Sequence, residues 1–358
     1  MRLPLPLKLP AYMLFRALGW PRVNPISLTI SLTNYCNHRC KTCDVYDNIQ
    51  KDLTVEEYEK IFRSMGKGIY YLTVSGGEPF LRNDIVEICR LAHEHLDPKV
   101  LLIPTNGLLH PRIPGRVKEI LEIYKDRSVV INLSLDGIGE QHDVIRGRPG
   151  AYEKALETYK GLKAITAPNL TRGIHTVVSQ FNVKDFEKIH HFMAALEPDS
   201  LICEVAENRV ELGTINHKIT PHPDDFDKAV EVMIKQMERR RPRGVARLIA
   251  SFRKQYYRNA ARIIRDRVQS PPCQAGFALA HISPSGELWA CCVEARSFGS
   301  LRENNYDWGK VYFDSPKKDE VRGRIKRGEC ACPLANAGYV NILFSPKGLM
   351  KAALDYVS

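Results

Sequence analysis

Between Ser27 and about Val205 the chain alternates short apolar runs with longer stretches in which apolar residues recur every three or four positions. The short runs carry the two-residue period of strands, and the longer ones carry the period of about 3.6 residues that marks an amphipathic helix. Strands are predicted near 27–32, 69–75, 99–104, 129–135, 172–178 and 200–205. Helices are predicted over 54–65, 82–96, 115–124, 151–166 and 183–195, the first opened by Thr54 with Glu57 three residues on, a capping box. Regular alternation of this kind predicts parallel βα units, and six of them make a partial (β/α)6 TIM-like barrel of the α/β class. The sites of such barrels lie at the C-terminal ends of the strands.

The fourth strand departs from the apolar rule. Asn132, Ser134 and Asp136 fall on one face by the period of two, among Val, Ile and Leu. Strands of a parallel sheet are normally buried on both faces, so these polar residues are expected to line the barrel lumen beside a polar ligand or to cap the strand at Gly137.

Outside the barrel the pattern changes three times. Residues 1–25 are apolar but broken by Pro and basic residues, and no stretch reaches the roughly twenty apolar residues that a bilayer span needs. There Tyr12, Met13, Phe15, Leu18 and Trp20, with Arg16 and Arg22, suit a short membrane-interfacial helix or a segment packed under the barrel. Residues 207–270 are polar and helical, a connector in which Arg239-Arg240-Arg241-Pro242-Arg243-Gly244 separates two helices. In 271–358, the run Ile282 to Cys291 turns at Gly286 between two apolar arms, which predicts a β-hairpin in a small cysteine-rich α+β extension. The barrel itself is assigned to 26–206.

Composition narrows the class. A chain of 358 residues with 44% hydrophobic and 26% charged residues has room for one large domain and a smaller one. Its ten Cys are not spaced like the disulfide framework of a small secreted domain, and Lys8 and the prolines interrupt any signal peptide, which favours a reducing cytoplasm. The net charge of +11 favours a polyanionic partner or surface. It is concentrated between Lys235 and Arg267, where twelve Lys and Arg face only Glu238 and Asp266. That segment suits a solvated helical face or a patch that meets phosphate or anionic lipid at the inner face of the membrane.

The chemistry centres on Cys36, Cys40 and Cys43, spaced C-x3-C-x2-C on the loop after the first strand. Three thiolates at this spacing can close on one face of an iron-sulfur cluster and leave one iron open, or form a structural zinc site with His38. After the second strand comes Ser75-Gly76-Gly77-Glu78-Pro79. Together the two motifs resemble those of the radical S-adenosylmethionine (SAM) superfamily.

The resemblance implies a 4Fe-4S cluster on Cys36, Cys40 and Cys43 whose open iron takes SAM. By the same resemblance Gly76, Gly77, Glu78 and Pro79 approach the methionine part, with Asn106 in the turn that ends the third strand. Ser134 and Asp136 are the implied ribose contacts, and Arg146 is placed to pair with the methionine carboxylate. One position departs from the pattern: where relatives carry an aromatic residue for adenine this chain has Thr42, with Tyr35 and Tyr46 as nearby substitutes. The reductant would be a flavodoxin or ferredoxin.

Cys273, Cys291, Cys330 and Cys332 resemble the ligand set of a Twitch or shortened SPASM extension, which implies a second, auxiliary 4Fe-4S cluster. Cys292 rivals Cys291, and a zinc site would use the same thiolates. Cys89 and Cys203 fall on apolar patterns and read as buried small hydrophobes, Cys203 also as a hydrogen-atom donor facing the lumen.

The substrate stays open. The apolar N-terminus and the basic 235–267 segment suit a lipid or phosphorylated headgroup, with peripheral membrane contact. The SPASM-like tail suggests a peptide- or protein-modifying enzyme instead. A zinc-bound nucleic-acid-binding protein is the distant alternative, because it leaves the GGEP turn and the βα units without a role.

Overall fold

The computed structural model describes residues 5–240 and 243–357. Residues 1–4 of the N-terminal segment, and Arg241 and Pro242 at the expected helix break, lie outside the described residues. The first helix, α1 (Leu5–Leu18), precedes six parallel strands: β1 (Ser27–Ser31), β2 (Tyr71–Ser75), β3 (Val100–Thr105), β4 (Ser128–Ser134), β5 (Leu170–Val178) and β6 (Ser200–Val205). Helices α2 (Val55–Met65), α3 (Ile85–His95), α4 (Arg112–Ile123), α5 (Glu140–Arg146), α6 (Ala151–Lys163) and α7 (Phe186–Ala195) lie between them. This is the partial barrel that the pattern predicts. The capping box forms as read, with Thr54 and Glu57 bonded to each other's backbone.

Two helices start later than their periodicity suggests. Pro79–Leu81 and Val183–Asp185 form single 3-10 turns first, so α3 begins at Ile85 and α7 at Phe186. In the former, Glu78 accepts from the backbone N–H of Phe80, which tightens the turn before the helix can open.

The connector holds two long helices, α8 (Pro223–Arg239) and α9 (Gly244–Asp266). Four of its basic residues are engaged by partners within the fold. Arg265 pairs with Asp224 and Asp227 at 2.7 and 2.5 Å, Lys254 with Glu238 at 2.9 Å, and Arg258 with Asp355 at 2.5 Å. Arg253 donates to the carbonyl of Leu201 at 2.9 Å.

The extension continues the barrel sheet. β7 (Leu279–Ile282) runs parallel beside β1, from Ser27 opposite Leu279 to Ile30 opposite Ile282. β8 (Glu287–Trp289) returns antiparallel as the predicted hairpin, and β9 (Ser297–Ser300) follows it. The result is a nine-stranded sheet in the order β6-β5-β4-β3-β2-β1-β7-β8-β9. An open six-stranded barrel would leave the backbone of β1 unpaired, and β7 supplies those partners. Four short helices complete the chain: α10 (Trp308–Tyr312), α11 (Lys318–Arg327), α12 (Ala335–Leu343) and α13 (Pro346–Val357).

The N-terminal helix divides its side chains between two environments. Tyr12 and Phe15 are buried; Phe15 packs on Phe277, Tyr312 and Phe313, with the Arg322 guanidinium 4.9 Å from its ring centre. Leu7, Met13, Leu14 and Leu18 are exposed, as is Trp20 just beyond the helix.

Glu57 ties α2 to the loop after β9. Its carboxylate accepts from Arg302 Nε and Nη2 at 2.7 and 2.8 Å and from Tyr306 at 2.9 Å. The Arg302 hydrogen bonds, named first among the causes, hold its pKa down at about 2 against an ordinary 4.5. A depressed carboxylate stabilises fully above its unfolded pKa and loses that contribution as pH falls through the folded one. Glu57→Gln is therefore expected to lower stability by about 1 kcal/mol at pH 7, a solvent-screened pair's worth. Urea midpoints measured down the pH scale should show the gap closing between pH 4.5 and 2.

Candidate active site

The strand ends raise three thiols to one cavity of about 560 Å³. Cys36, Cys40 and Cys43 border it on the loop after β1, and that loop is pinned from several sides. Arg39 and Lys41 donate their backbone N–H to the carbonyls of Arg146 and Ile145, and Asp44 donates to Leu212. Asn106 Nδ2 and Arg146 Nη1 approach the sulfurs of Cys36 and Cys40 at 3.9 Å. Burial pushes the Cys36 thiol up to about 11 and the Cys43 thiol up to about 12. In water-poor surroundings such thiols become good ligands only when a metal offsets their charge.

Gly76 and Gly77 have a steric reason that the sequence did not show. The turn after β2 runs against the start of the cysteine loop: Gly77 and Glu78 donate to the carbonyls of Thr33 and Tyr35 at 2.7 and 2.9 Å. A Cβ on Gly77 would stand 2.2 Å from the Tyr35 oxygen, and one on Gly76 would stand 2.4 Å from that of Thr33. The glycines allow the two loops to lie side by side as a continuation of the β1–β2 ladder.

Glu78 is a staple between loops. Its carboxylate accepts from Thr105 Oγ1, the Asn106 N–H and the Phe80 N–H at 2.9, 2.8 and 3.2 Å. Burial raises its pKa to about 7, with the three donors opposing. Glu78 also borders the cavity, so its carboxylate can accept from the expected methionine amino group alongside these three donors.

The remaining expected SAM contacts separate into two groups. Pro79, Asn106, Ser134 and Arg146 border the cavity together with both glycines. Asp136 does not: it is 1% exposed, its Oδ1 accepts from Val177 N at 2.8 Å and its Oδ2 pairs with Arg146 Nε at 2.9 Å. Asp136 lies beyond the end of β4, where the chain has turned inward, so the period of two no longer places it with Ser134. Arg146 is thereby held by a carboxylate of the protein. Thr42 borders the cavity, whereas Tyr35 is exposed and Tyr46 carries the Arg39 guanidinium 4.1 Å from its ring centre; neither tyrosine is among the lining residues.

His38 stands in the cavity wall, 1% exposed, with both ring nitrogens lacking a partner among the described residues. Burial and then Arg146 hold its pKa down near 3. A buried histidine without partners marks a place where a ligand completes the site.

The second set of thiols also assembles. Cys273, Cys291, Cys330 and Cys332 border one small cavity with Ala275, Ala290 and Leu334. Cys292 faces away from it and borders the larger cavity, while Cys291 borders both. Cys203 is buried with its N–H bonded to the Tyr257 hydroxyl and does not line the lumen; its neighbours Ile202 and Glu204 do. Cys89 is fully buried, as its pattern predicts.

Sequence reasoning overlooked much of the lumen. His175, Glu204, Glu207, Arg209, Glu211 and His281 border the cavity, with Arg209 paired to Glu204 at 3.4 Å and to Glu207 at 3.1 Å. The polar alternation of Glu204 on β6 and His175 on β5 was the available signal, of the same kind as that on β4.

Residues 30–193 match the Radical SAM superfamily. The chain is 30% identical to pre-heme d1 synthase of Dinoroseobacter shibae over 156 residues, 42% of this chain and 36% of that protein. It is 23% identical over 300 residues to the antilisterial bacteriocin subtilosin biosynthesis protein AlbA of Bacillus subtilis, covering 82% of this chain and 60% of AlbA. It therefore spans less than two thirds of the length of these curated relatives. The crystal structure of Streptococcus suis SuiB bound to SAM superposes with a TM-score of 0.61 at 17% identity, covering 83% of this chain and 68% of SuiB. Residues 30–193 therefore read as a radical SAM domain, and most of the chain shares the fold of SuiB. A domain of this superfamily implies a 4Fe-4S cluster and SAM, and three convergent thiols, the glycine cradle and the orphaned His38 fit both.

Gly77→Ala is expected to part the two loops, because the clashing atoms are backbone and cannot swing aside. SAM binding to the iron-loaded protein, measured by equilibrium dialysis, should weaken by at least about tenfold, or about 1.4 kcal/mol. Gly115→Ala on α4, whose Cβ meets nothing within 4 Å, should leave it unchanged.

Proposed function

We propose that this enzyme generates a 5'-deoxyadenosyl radical from SAM and uses it to take a hydrogen atom from an unactivated C–H bond of a peptide substrate. The convergence of Cys36, Cys40 and Cys43 with the Gly76–Gly77 turn on one cavity carries the reading. Cys36, Cys40 and Cys43 would hold a four-iron cluster that, reduced by a flavodoxin or ferredoxin, would supply the electron for cleavage of the sulfonium bond of bound SAM. The residues of the chain hold and orient. Cys36, Cys40 and Cys43 serve as ligands, Asn106 and Arg146 stand beside two of the sulfurs, and Ser134 offers a hydroxyl to the ribose. Enclosure within the barrel keeps water from the reacting atoms.

Cys273, Cys291, Cys330 and Cys332 hold the auxiliary cluster in this reading. Cys291, which borders both cavities, connects that site with the substrate space and suits it to accept an electron from an oxidised substrate. Peptide as substrate rests on analogy: SuiB has been crystallised with its precursor peptide SuiA, and that structure superposes on 83% of this chain with a TM-score of 0.59. The carboxylates of Glu204, Glu207 and Glu211 in the lumen also suit a peptide better than a phosphorylated headgroup, which they would repel.

After strictly anaerobic reconstitution the protein should carry about eight iron and eight sulfide, two four-iron clusters. With dithionite and SAM it should form 5'-deoxyadenosine. Cys36→Ala should halve the iron and abolish the product; Cys291→Ala should halve the iron and leave SAM cleavage in place. Zinc retained with no iron would end the radical reading.

A lipid-linked substrate is the second reading, favoured by the exposed Leu7, Met13, Leu14, Leu18 and Trp20 at the N-terminus. It requires sedimentation with anionic liposomes at low salt, weakened at least about tenfold by Leu14→Glu together with Leu18→Glu. A protein that stays in the supernatant would leave the peptide reading alone.

A further inference from the structure

Three side chains of metal-ligating type meet in the lumen, one of them Cys292 beside Cys291. Glu211, His281 and Cys292 each offer one ligand atom to a common point, and these atoms all lie within 4.8 Å of one another. Among the described residues no other trio of His, Cys, Asp and Glu meets that condition.

The three come from separate parts of the sheet. His281 sits on β7, Cys292 follows β8, and Glu211 follows β6. Backbone bonds fix them: Glu211 and Val210 donate to the carbonyls of Cys292 and Val293, and His281 is paired with Trp289 across the hairpin. His281 and Cys292 are 3% and 7% exposed. Glu211 Oε1 stands 3.3 Å from His281 Nε2, and donors bound at about 2.0–2.2 Å to a tetrahedral zinc stand roughly 3.3–3.6 Å apart. Ser31 on β1 donates to Glu211 Oε1 at 2.8 Å and lies 2.9 Å from His281 Nε2, the same two atoms that face each other, so its hydroxyl stands at the site itself.

Charge points the same way. A thiolate and a carboxylate around a divalent ion form a neutral unit, the form that burial penalises least. In the same wall Glu207, 7% exposed, pairs through Oε1 with Arg209 at 3.1 Å, while its Oε2 has no partner among the described residues.

We propose that Glu211, His281 and Cys292 bind one divalent ion of the zinc class. Its fourth position opens on the cavity that Cys36, Cys40 and Cys43 border, where an oxygen donor from water or substrate completes the tetrahedron. Three protein ligands with an open fourth position are the arrangement of reactive zinc sites. This proposal does not depend on the peptide reading.

The test uses the holoenzyme with its iron loaded, equilibrated with one equivalent of zinc and passed through a desalting column. About one zinc per chain should remain, and zinc-edge X-ray absorption should show a single sulfur near 2.3 Å with nitrogen and oxygen near 2.0 Å. Cys292→Ser and His281→Gln should each lose the zinc while iron and sulfide per chain hold. No retained zinc, or zinc surrounded by several sulfurs, would overturn the site. Loss of iron in Cys292→Ser would also overturn it, since Cys292 would then be a cluster ligand.

Discussion

The pairing of β1 on both of its edges is the constraint on which the rest of this structure depends. β2 bonds it on one side and β7 on the other, so the strand that launches the cysteine loop is an interior strand of a nine-stranded sheet. An edge strand frays and slips; an interior one has its register set twice. Ser31 at its end is accordingly fixed against β2, β7 and the lumen at once. The loop that follows inherits that rigidity, which three convergent ligands require.

The same pairing makes the extension part of the active site. β7 brings His281 to the lumen, and the hairpin behind it brings Cys291 to the boundary between the two cavities. The N-terminal helix closes the arrangement from outside: Phe15 and Arg16 pack on Phe277 and on the carbonyl of Cys273. First and last segments of the chain thus meet around the second set of thiols.

Polar residues in the barrel are shared between holding loops and facing the cavity. Asp136, expected to meet SAM, is spent on a backbone N–H and on Arg146, whereas Glu78 holds its loop and still borders the cavity. A buried carboxylate needs donors, and neighbouring loops supply them before any ligand arrives. Ser134 and His38 carry no such obligation and remain directed to the cavity. The residues left for ligands are those that the protein has not already satisfied.

The barrel, its strand order of appearance, the cysteine loop and the glycine turn were legible in the sequence because each rests on local pattern: a period of two or 3.6, or a fixed spacing of thiols. Local pattern also placed Ser134 on the lumen face and Cys89 in the core. Tertiary structure alone decided the rest. The parallel partnership of β7 with β1 joins residues more than 250 positions apart, which no window of sequence can reveal. The choice between Cys291 and Cys292 for the smaller cavity depended on which way two adjacent side chains turn after β8, and the meeting of Glu211, His281 and Cys292 on three separate returns of the chain. Spacing along a chain states what can bind; only the closing of the sheet brings distant donors within 4.8 Å of one another.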